Sequence, residues 1–259
     1  MFRDLSLDGQ FEDELGMHLD VPYVPTHESV VKGMLELAGV DADDVLYDLG
    51  SGDGRIPVAA ALDHGASAIG IEIDPGRVKL GQAYAEQMGV EHKVAFLELD
   101  LFEVDFSPAT VITMYLLHTV NLELRPRLLT ELRPGTRIVS HAFDMGDWRA
   151  DRKVSVRSDA RYLWIIPARV AGTWHWQTAD GTRYRVELQQ RYQKLIGELW
   201  INDELAELEA ALLWGDLLEL VVQKEQDYEP ESIVFHCQDD QLVVVSENQK
   251  GAVARRVAG

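Results

Sequence analysis

Residues 45–55 read VLYDLGSGDGR, which places one acid, Asp48, just before three alternate glycines, Gly50, Gly52 and Gly54. Glycine takes positive φ without steric penalty and lets other groups approach its backbone, so this stretch describes a strand-to-helix turn that holds a ligand. A nicotinamide or flavin fingerprint, Gly-x-Gly-x-x-Gly counted from Gly50, needs its third glycine at the position of Arg55, so that chemistry is excluded. A phosphate-cradling loop would need Gly-Lys-Ser/Thr, and none follows. With both patterns incomplete, what remains is an acid, Asp48, ahead of alternate glycines that let a ligand of another kind approach the backbone. About twenty residues later, IGIEID puts Glu72 and Asp74 at the end of another apolar run, where an acid accepts both hydroxyls of a ribose. Position favours Glu72, with Asp74 as the alternative. FLELDLF sets Asp100 and Leu101 at the end of a third run, and SHAFDMGDW gathers His141, Asp144 and Trp148 after a later one.

Those residues need rigid elements behind them. ESVVKGMLELAGV has helical spacing and stops at Gly39, DVLYDLG reads as a strand, and RIPVAAALDHG as a helix stopped by Gly65. ASAIGIEID is a strand, PGRVKLGQAYAEQMG a helix with Pro75 at its start, and KVAFLELD, TVITMYLL and TRIVSHAF are strands, with LELRPRLLTELRPG the helix between the last two. Alternating strand and helix predict an α/β fold, a doubly wound, mostly parallel sheet with helices on both faces. Beyond residue 168 the rhythm changes to alternating or β-branched runs separated by TADGT, NDE, GD and QDDQ turns, which predicts a small antiparallel β domain, sheet or barrel. LAELEAALLWGDLLELVV would also suit a helix, but its Gly-Asp interruption favours strands. The expected domains are residues 1–168 and 169–259. Trp148, Trp164, Trp174, Trp176, Trp200 and Trp214 read as core of the tail and its junction rather than as a cation cage.

Composition limits the function classes. The 259 residues contain 44 acids and 24 bases, a formal charge of -20. Nonspecific nucleic-acid binding depends on neutralising phosphates with Lys and Arg, so nucleic acid is not the expected partner. A basic protein partner and a high-salt cytoplasm both fit the acidity. One cysteine, Cys237, leaves no internal disulfide, and the eight histidines lack metal spacing, so no metal is expected. No apolar run reaches the roughly 18 residues of a spanning helix, and the first twenty residues lack a signal-peptide pattern, so no membrane association and a cytoplasmic location are expected.

The acid-x-Gly-x-Gly-x-Gly turn resembles the first motif of class I S-adenosylmethionine-dependent methyltransferases. VPYVPTHESVVKGMLELAGV, YDLGSGDGRI and TMYLL together look like the small protein-lysine methyltransferases of archaea and their mitochondrial relatives that modify a subunit of ATP synthase. The resemblance covers roughly residues 20–145. It implies a Rossmann-like fold and S-adenosyl-L-methionine as cofactor, held by the turn residues Asp48, Gly50, Ser51, Gly52, Asp53 and Gly54, by Glu72 or Asp74, and by Asp100 and Leu101 at the adenine. It also implies that Tyr23, Pro25 and Thr26 close over the cofactor and that Tyr115 lies near the transferred methyl.

The expected reaction is methyl transfer to a nitrogen, that of a protein lysine, with Tyr115 lining the pocket and Asp144 or His141 steering or deprotonating the acceptor. A lysine amine, with a reference pKa of about 10.4, must be desolvated or deprotonated first. Two alternatives remain: a small-molecule methyltransferase whose β domain is a lid, and a noncatalytic cofactor-binding scaffold. Oligomeric state is not legible.

Overall fold

The computed structural model describes residues 11–12, 18–19, 24–156, 159–223, 229–238 and 240–257. They form two compact units, one of residues up to Leu132 with Thr136–Trp164, the other of Arg133–Gly135 with Ile165 onward.

The first unit opens with a short antiparallel pair, β1 (Phe11–Glu12) and β2 (His18–Leu19). Helix α1 (Glu28–Ala38) follows, capped where the His27 ring accepts from Ser29 N–H at 3.2 Å and closed by Gly39 at φ 62°. Strand β3 (Val45–Leu49) leads to α2 (Arg55–His64), β4 (Ser67–Glu72) to α3 (Pro75–Met88), and β5 (Val94–Glu98) to β6 (Val111–Met114). Helix α4 (His118–Glu131), β7 (Arg137–His141) and the antiparallel hairpin β8 (Arg152–Val156) and β9 (Asp159–Ile165) complete it. The strand order is β5-β4-β3-β6-β7-β9-β8, with β5 through β7 parallel. The predicted strands and helices recur; the β8–β9 hairpin was not among them.

Consecutive strands run outward from β3 in one direction and then from β6 in the other, so the order reverses between them. Such a switch point opens a crevice at the carboxyl ends of the strands. Core packing fixes those ends. Met34, Leu35, Leu46, Val111 and Val139 are buried in one cluster, where burial of each such side chain stabilises by roughly 1.5–3 kcal/mol. The Phe96 ring fills a hollow bounded by Gly54, Gly70 and Gly81; a Cβ on any of them would come within 2.7 Å of that ring. The third glycine of the turn therefore serves close packing as well as backbone geometry.

The second unit is a closed eight-stranded barrel, each strand antiparallel to the next and the last returning to the first. Its strands are β10 (Gly172–Gln177), β11 (Arg183–Arg191), β12 (Lys194–Ile201), β13 (Glu204–Trp214), β14 (Leu217–Gln223), β15 (Glu231–Gln238), β16 (Gln241–Val244) and β17 (Val253–Arg256). The segment that could have been a helix is the β13–β14 hairpin, turned at Gly215 with φ 60°. Trp174, Trp176, Tyr184, Phe235 and the alternate leucines and valines fill the interior. Trp148 and Trp164 are buried as well, in the first unit rather than in the tail. The other two depart from the expected core: Trp200 is partly exposed under the Arg185 guanidinium at 3.6 Å, and Trp214 is 51% exposed.

Candidate active site

The crevice at the strand ends is a cleft of about 920 Å³, counting its open mouth. It is lined from β3 by Asp48, from the glycine turn by Gly50, Ser51, Gly52 and Asp53, and from β4 by Glu72 and Ile73. Leu99, Asp100 and Leu101 line it beyond β5, Tyr115 and Leu116 beyond β6, and Val24, Pro25 and Thr26 ahead of α1.

All three turn glycines take positive φ, 77°, 55° and 80°, which explains their type. The loop is pinned from below. The amides of Gly50 and Ser51 both donate to the Ile71 carbonyl at 2.9 Å, and that of Gly52 donates to Glu72 Oε2 at 2.9 Å. Glu72 Oε1 accepts from the Asp74 amide at 3.0 Å, and an Arg77 guanidinium nitrogen lies 3.8 Å away. Glu72 thus sets the turn's position while lining the cleft.

Asp48 is buried in the cleft wall, accepting from the Thr113 hydroxyl at 2.8 Å. Burial, with lesser repulsion from Glu72 and Asp53, pushes its carboxyl up to about 7, although the Thr113 hydrogen bond acts downward. The protein therefore holds a buried acid whose neutral form its surroundings favour, and a nearby cation would favour the ionised form. Because the folded value lies above the ordinary 3.8, Asp48 opposes folding increasingly as pH rises from about 4 through 7.

Arg55 marked only an exclusion in the sequence. In the structure its guanidinium grips Asp53, Nε to Oδ1 at 2.9 Å and Nη2 to Oδ2 at 2.5 Å, while Nη1 donates to the Thr26 carbonyl at 2.6 Å. One fork thus ties the lead-in segment to the glycine turn across the cleft wall.

The phenol ring of Tyr115 stands 4.1 Å from the His141 ring and 6.4 Å from that of Phe143, centroid to centroid. Burial keeps the Tyr115 hydroxyl above its usual range and, more strongly than Asp159 can offset, holds His141 below its own. His141 Nε2 is 3.9 Å from Asp159 Oδ1. Ala142, at φ 66°, then turns the chain out of β7.

Three expected residues belong elsewhere. The Asp74 carboxylate caps α3 by accepting from Gly76 N–H at 2.7 Å, because Pro75 starts that helix directly after it, and Asp74 does not line the cleft. Asp144 is half exposed; it accepts from Gly146 N–H at 3.0 Å and faces His118 Nδ1 at 3.3 Å, so it holds a surface turn rather than a place in the cleft. His141 lies behind Tyr115 rather than on the cleft lining. Gly54 underlies the turn by packing on Phe96, and Tyr23 lies outside the described residues. Sequence reasoning missed Val24, Arg55, Ile56, Ile71, Ile73, Arg77, Leu99 and Leu116 as cleft residues. The available signal was apolar side chains just past strand ends: Ile73 is 44% and Leu99 41% exposed, and both line the cleft, where they suit a planar ring.

A buried carboxyl, an acid at the second strand end, a glycine turn and exposed apolar flanks fit an aminoacyl nucleoside. Fold and cleft together define a class I S-adenosylmethionine-dependent methyltransferase. The comparisons agree. The family described as the ANTKMT methyltransferase domain matches residues 48–152. A protein-lysine N-methyltransferase of Saccharolobus islandicus is 46% identical over 151 residues, 56% of this chain and 94% of the relative. The adenine nucleotide translocase lysine N-methyltransferase of Mus musculus is 32% identical over 150 residues, 58% of this chain and 65% of its own length. A crystal structure from Salinibacter ruber, titled an RNA methyltransferase in complex with S-adenosyl-L-homocysteine, is 56% identical, with a TM-score of 0.56, over 57% of this chain and 96% of that one. The chain belongs to the methyltransferase family that the Saccharolobus relative represents, and its cofactor is S-adenosylmethionine.

Substituting Arg55 by lysine is expected to weaken S-adenosylhomocysteine binding about tenfold in calorimetry, because an ammonium cannot grip both Asp53 oxygens and the Thr26 carbonyl together. Saturated turnover should be little changed.

Proposed function

We propose that this chain transfers a methyl group from S-adenosylmethionine to the side-chain amine of a protein lysine. In this reading Glu72 takes the ribose hydroxyls, Asp48 the ammonium, and Asp100 with Leu101 the adenine, while Pro25 and Thr26 form the wall that Arg55 anchors. When bound, the donor supplies a methyl already activated on a sulfonium, so the chain's own task is to align the amine and strip its proton.

The observation that carries the reading is the aromatic wall beside a donor cleft: Tyr115 backed by His141 and Phe143 at the end of β6. Such a wall attracts a cationic amine by its ring faces and then desolvates it, which lowers the amine's pKa toward the neutral form that reacts. Tyr115, a protonated phenol at neutral pH, offers its oxygen as a hydrogen-bond acceptor to that amine, and His141, held neutral, packs the ring in place. The lysine relatives support this acceptor. The Salinibacter protein, described as an RNA methyltransferase, raises an RNA acceptor instead, and the charge of -20 opposes it.

The full chain incubated with methyl-labelled donor and a cell extract should give label that protease releases from large molecules and ribonuclease does not. Label confined to nucleic acid or small molecules would overturn the lysine assignment.

The Asp48 role has its own signature. A fixed ligand cation favours the ionised carboxyl, so affinity should rise with pH through about 7, and binding below that point should release a proton. The ligand's α-amino group, near 8 in its ordinary state, closes the other side, giving a bell-shaped affinity profile. Calorimetry in buffers of different ionisation enthalpy measures the release; Asp48→Asn should erase the acid limb.

A further inference from the structure

We propose that the outer face of β12–β14 on the barrel docks a basic, apolar polypeptide segment, which we take to be part of the acceptor protein; that last identification rests on the lysine reading above. Strands of a filled barrel alternate core and solvent positions. Leu213, Leu218 and Leu220 point inward and are buried, whereas their outward neighbours Leu212, Trp214 and Leu217 are 55%, 51% and 42% exposed. These are not scattered. Trp214 pairs with Leu217 across the hairpin, Leu212 lies two residues from Trp214 on the same face, and Lys194 pairs with Leu212. Ile196, 68% exposed, continues the patch two residues beyond Lys194 on β12. A contiguous patch that includes a half-exposed tryptophan marks an interaction surface.

Charge selects the occupant. Glu219 pairs directly with Leu212 in the sheet, and Glu207 and Glu209 are exposed farther along β13, whereas Asp216 in the turn already meets His236 Nε2 at 2.8 Å. Residues 169–259 hold 16 acids and 9 bases. A second copy related by a two-fold axis would set these acids against themselves, and nucleic acid would meet them with phosphates. A segment combining apolar and basic side chains satisfies both halves of the patch. The barrel lies beyond residues 48–152, the stretch that the methyltransferase family matches, so docking here adds a holding site to the transferase within one chain. Such linkage raises the acceptor's local concentration without altering the cofactor cleft.

The test uses the full chain and a fluorescent synthetic peptide of alternating leucine and lysine, with serine–lysine and leucine–glutamate peptides as controls. Binding is read by anisotropy. The leucine–lysine peptide should bind at least about tenfold tighter than either control, and both Glu219→Lys and the double variant Leu212→Ser with Trp214→Ser should remove that advantage. Thermal melts and S-adenosylhomocysteine affinity should stay at wild-type values. Retained peptide affinity in the double variant, equal binding of the serine–lysine peptide, or a wild-type dimer that the double variant converts to monomer would each overturn the docking proposal. If the peptide docks as expected while labelled methyl never reaches lysine, the surface stands and the lysine reading fails alone.

Discussion

Gly52→Val is expected to weaken S-adenosylmethionine binding by at least about 100-fold, close to 3 kcal/mol, while the barrel unit stays folded. Gly52 holds φ at 55°, in the left-handed region where a β-branched residue is a genuine outlier. Its amide is also the donor to Glu72 Oε2, so any backbone shift that relieves the valine pulls the turn from its anchor. Both consequences fall on the cleft lining, and the barrel core shares no residue with it. Calorimetry measures the affinity and far-ultraviolet circular dichroism the fold. Retained affinity would mean that the cofactor lies elsewhere. Gly52→Ala, without β-branching, should lose less.

Glu72→Gln is expected to lower both affinity and stability, a pairing that a residue touching only ligand would not give. The carboxylate accepts from two backbone amides, those of Gly52 and Asp74, and is buried. A glutamine offers one oxygen; its other terminus is a donor and would face a donor. Leaving one buried N–H without an acceptor costs roughly 1–3 kcal/mol. The melting temperature of the free protein should therefore fall, and affinity should fall by about 100-fold once the loosened turn and the lost ribose acceptor combine. A glutamine variant with wild-type melting but reduced affinity would leave Glu72 a ligand contact and remove it as the turn's anchor.

Much of the site was legible because its residues sit where strands end. Asp48, Glu72 and Asp100 are acids at the end of, or just past, apolar runs, and alternate glycines after a strand have few other uses. Local spacing reads such positions well. Arg55 was not legible, because its partners include a carbonyl 29 residues earlier, and backbone acceptors leave no trace in sequence. Asp144 misled for the reverse reason. An acid before Met-Gly-Asp looks available for chemistry, yet a turn amide and His118 take it. Asp74 stood as the alternative to Glu72 for the ribose, although Pro75 at the start of the next helix already put it in the capping position that it takes.

The fold divides similarly. Strand and helix periods named the parallel sheet, and Gly215 with its neighbouring aspartate separated two strands that a leucine- and glutamate-rich composition left open. Closure of the barrel was beyond reach, since it depends on β10 pairing with β17, some eighty residues apart in sequence. Nor could composition tell that Trp214 faces water while Trp174 is buried, because inward and outward positions differ only by register.

One measurement bears most directly on the central claim. The full chain is given methyl-labelled S-adenosylmethionine and a protein extract, the labelled protein is recovered and hydrolysed, and its amino acids are separated. The expected result is label in Nε-methylated lysine, abolished by Gly52→Val and reduced by Glu72→Gln. Label in any other amino acid, or protein left unlabelled while RNA or a small molecule carries the methyl, would contradict it.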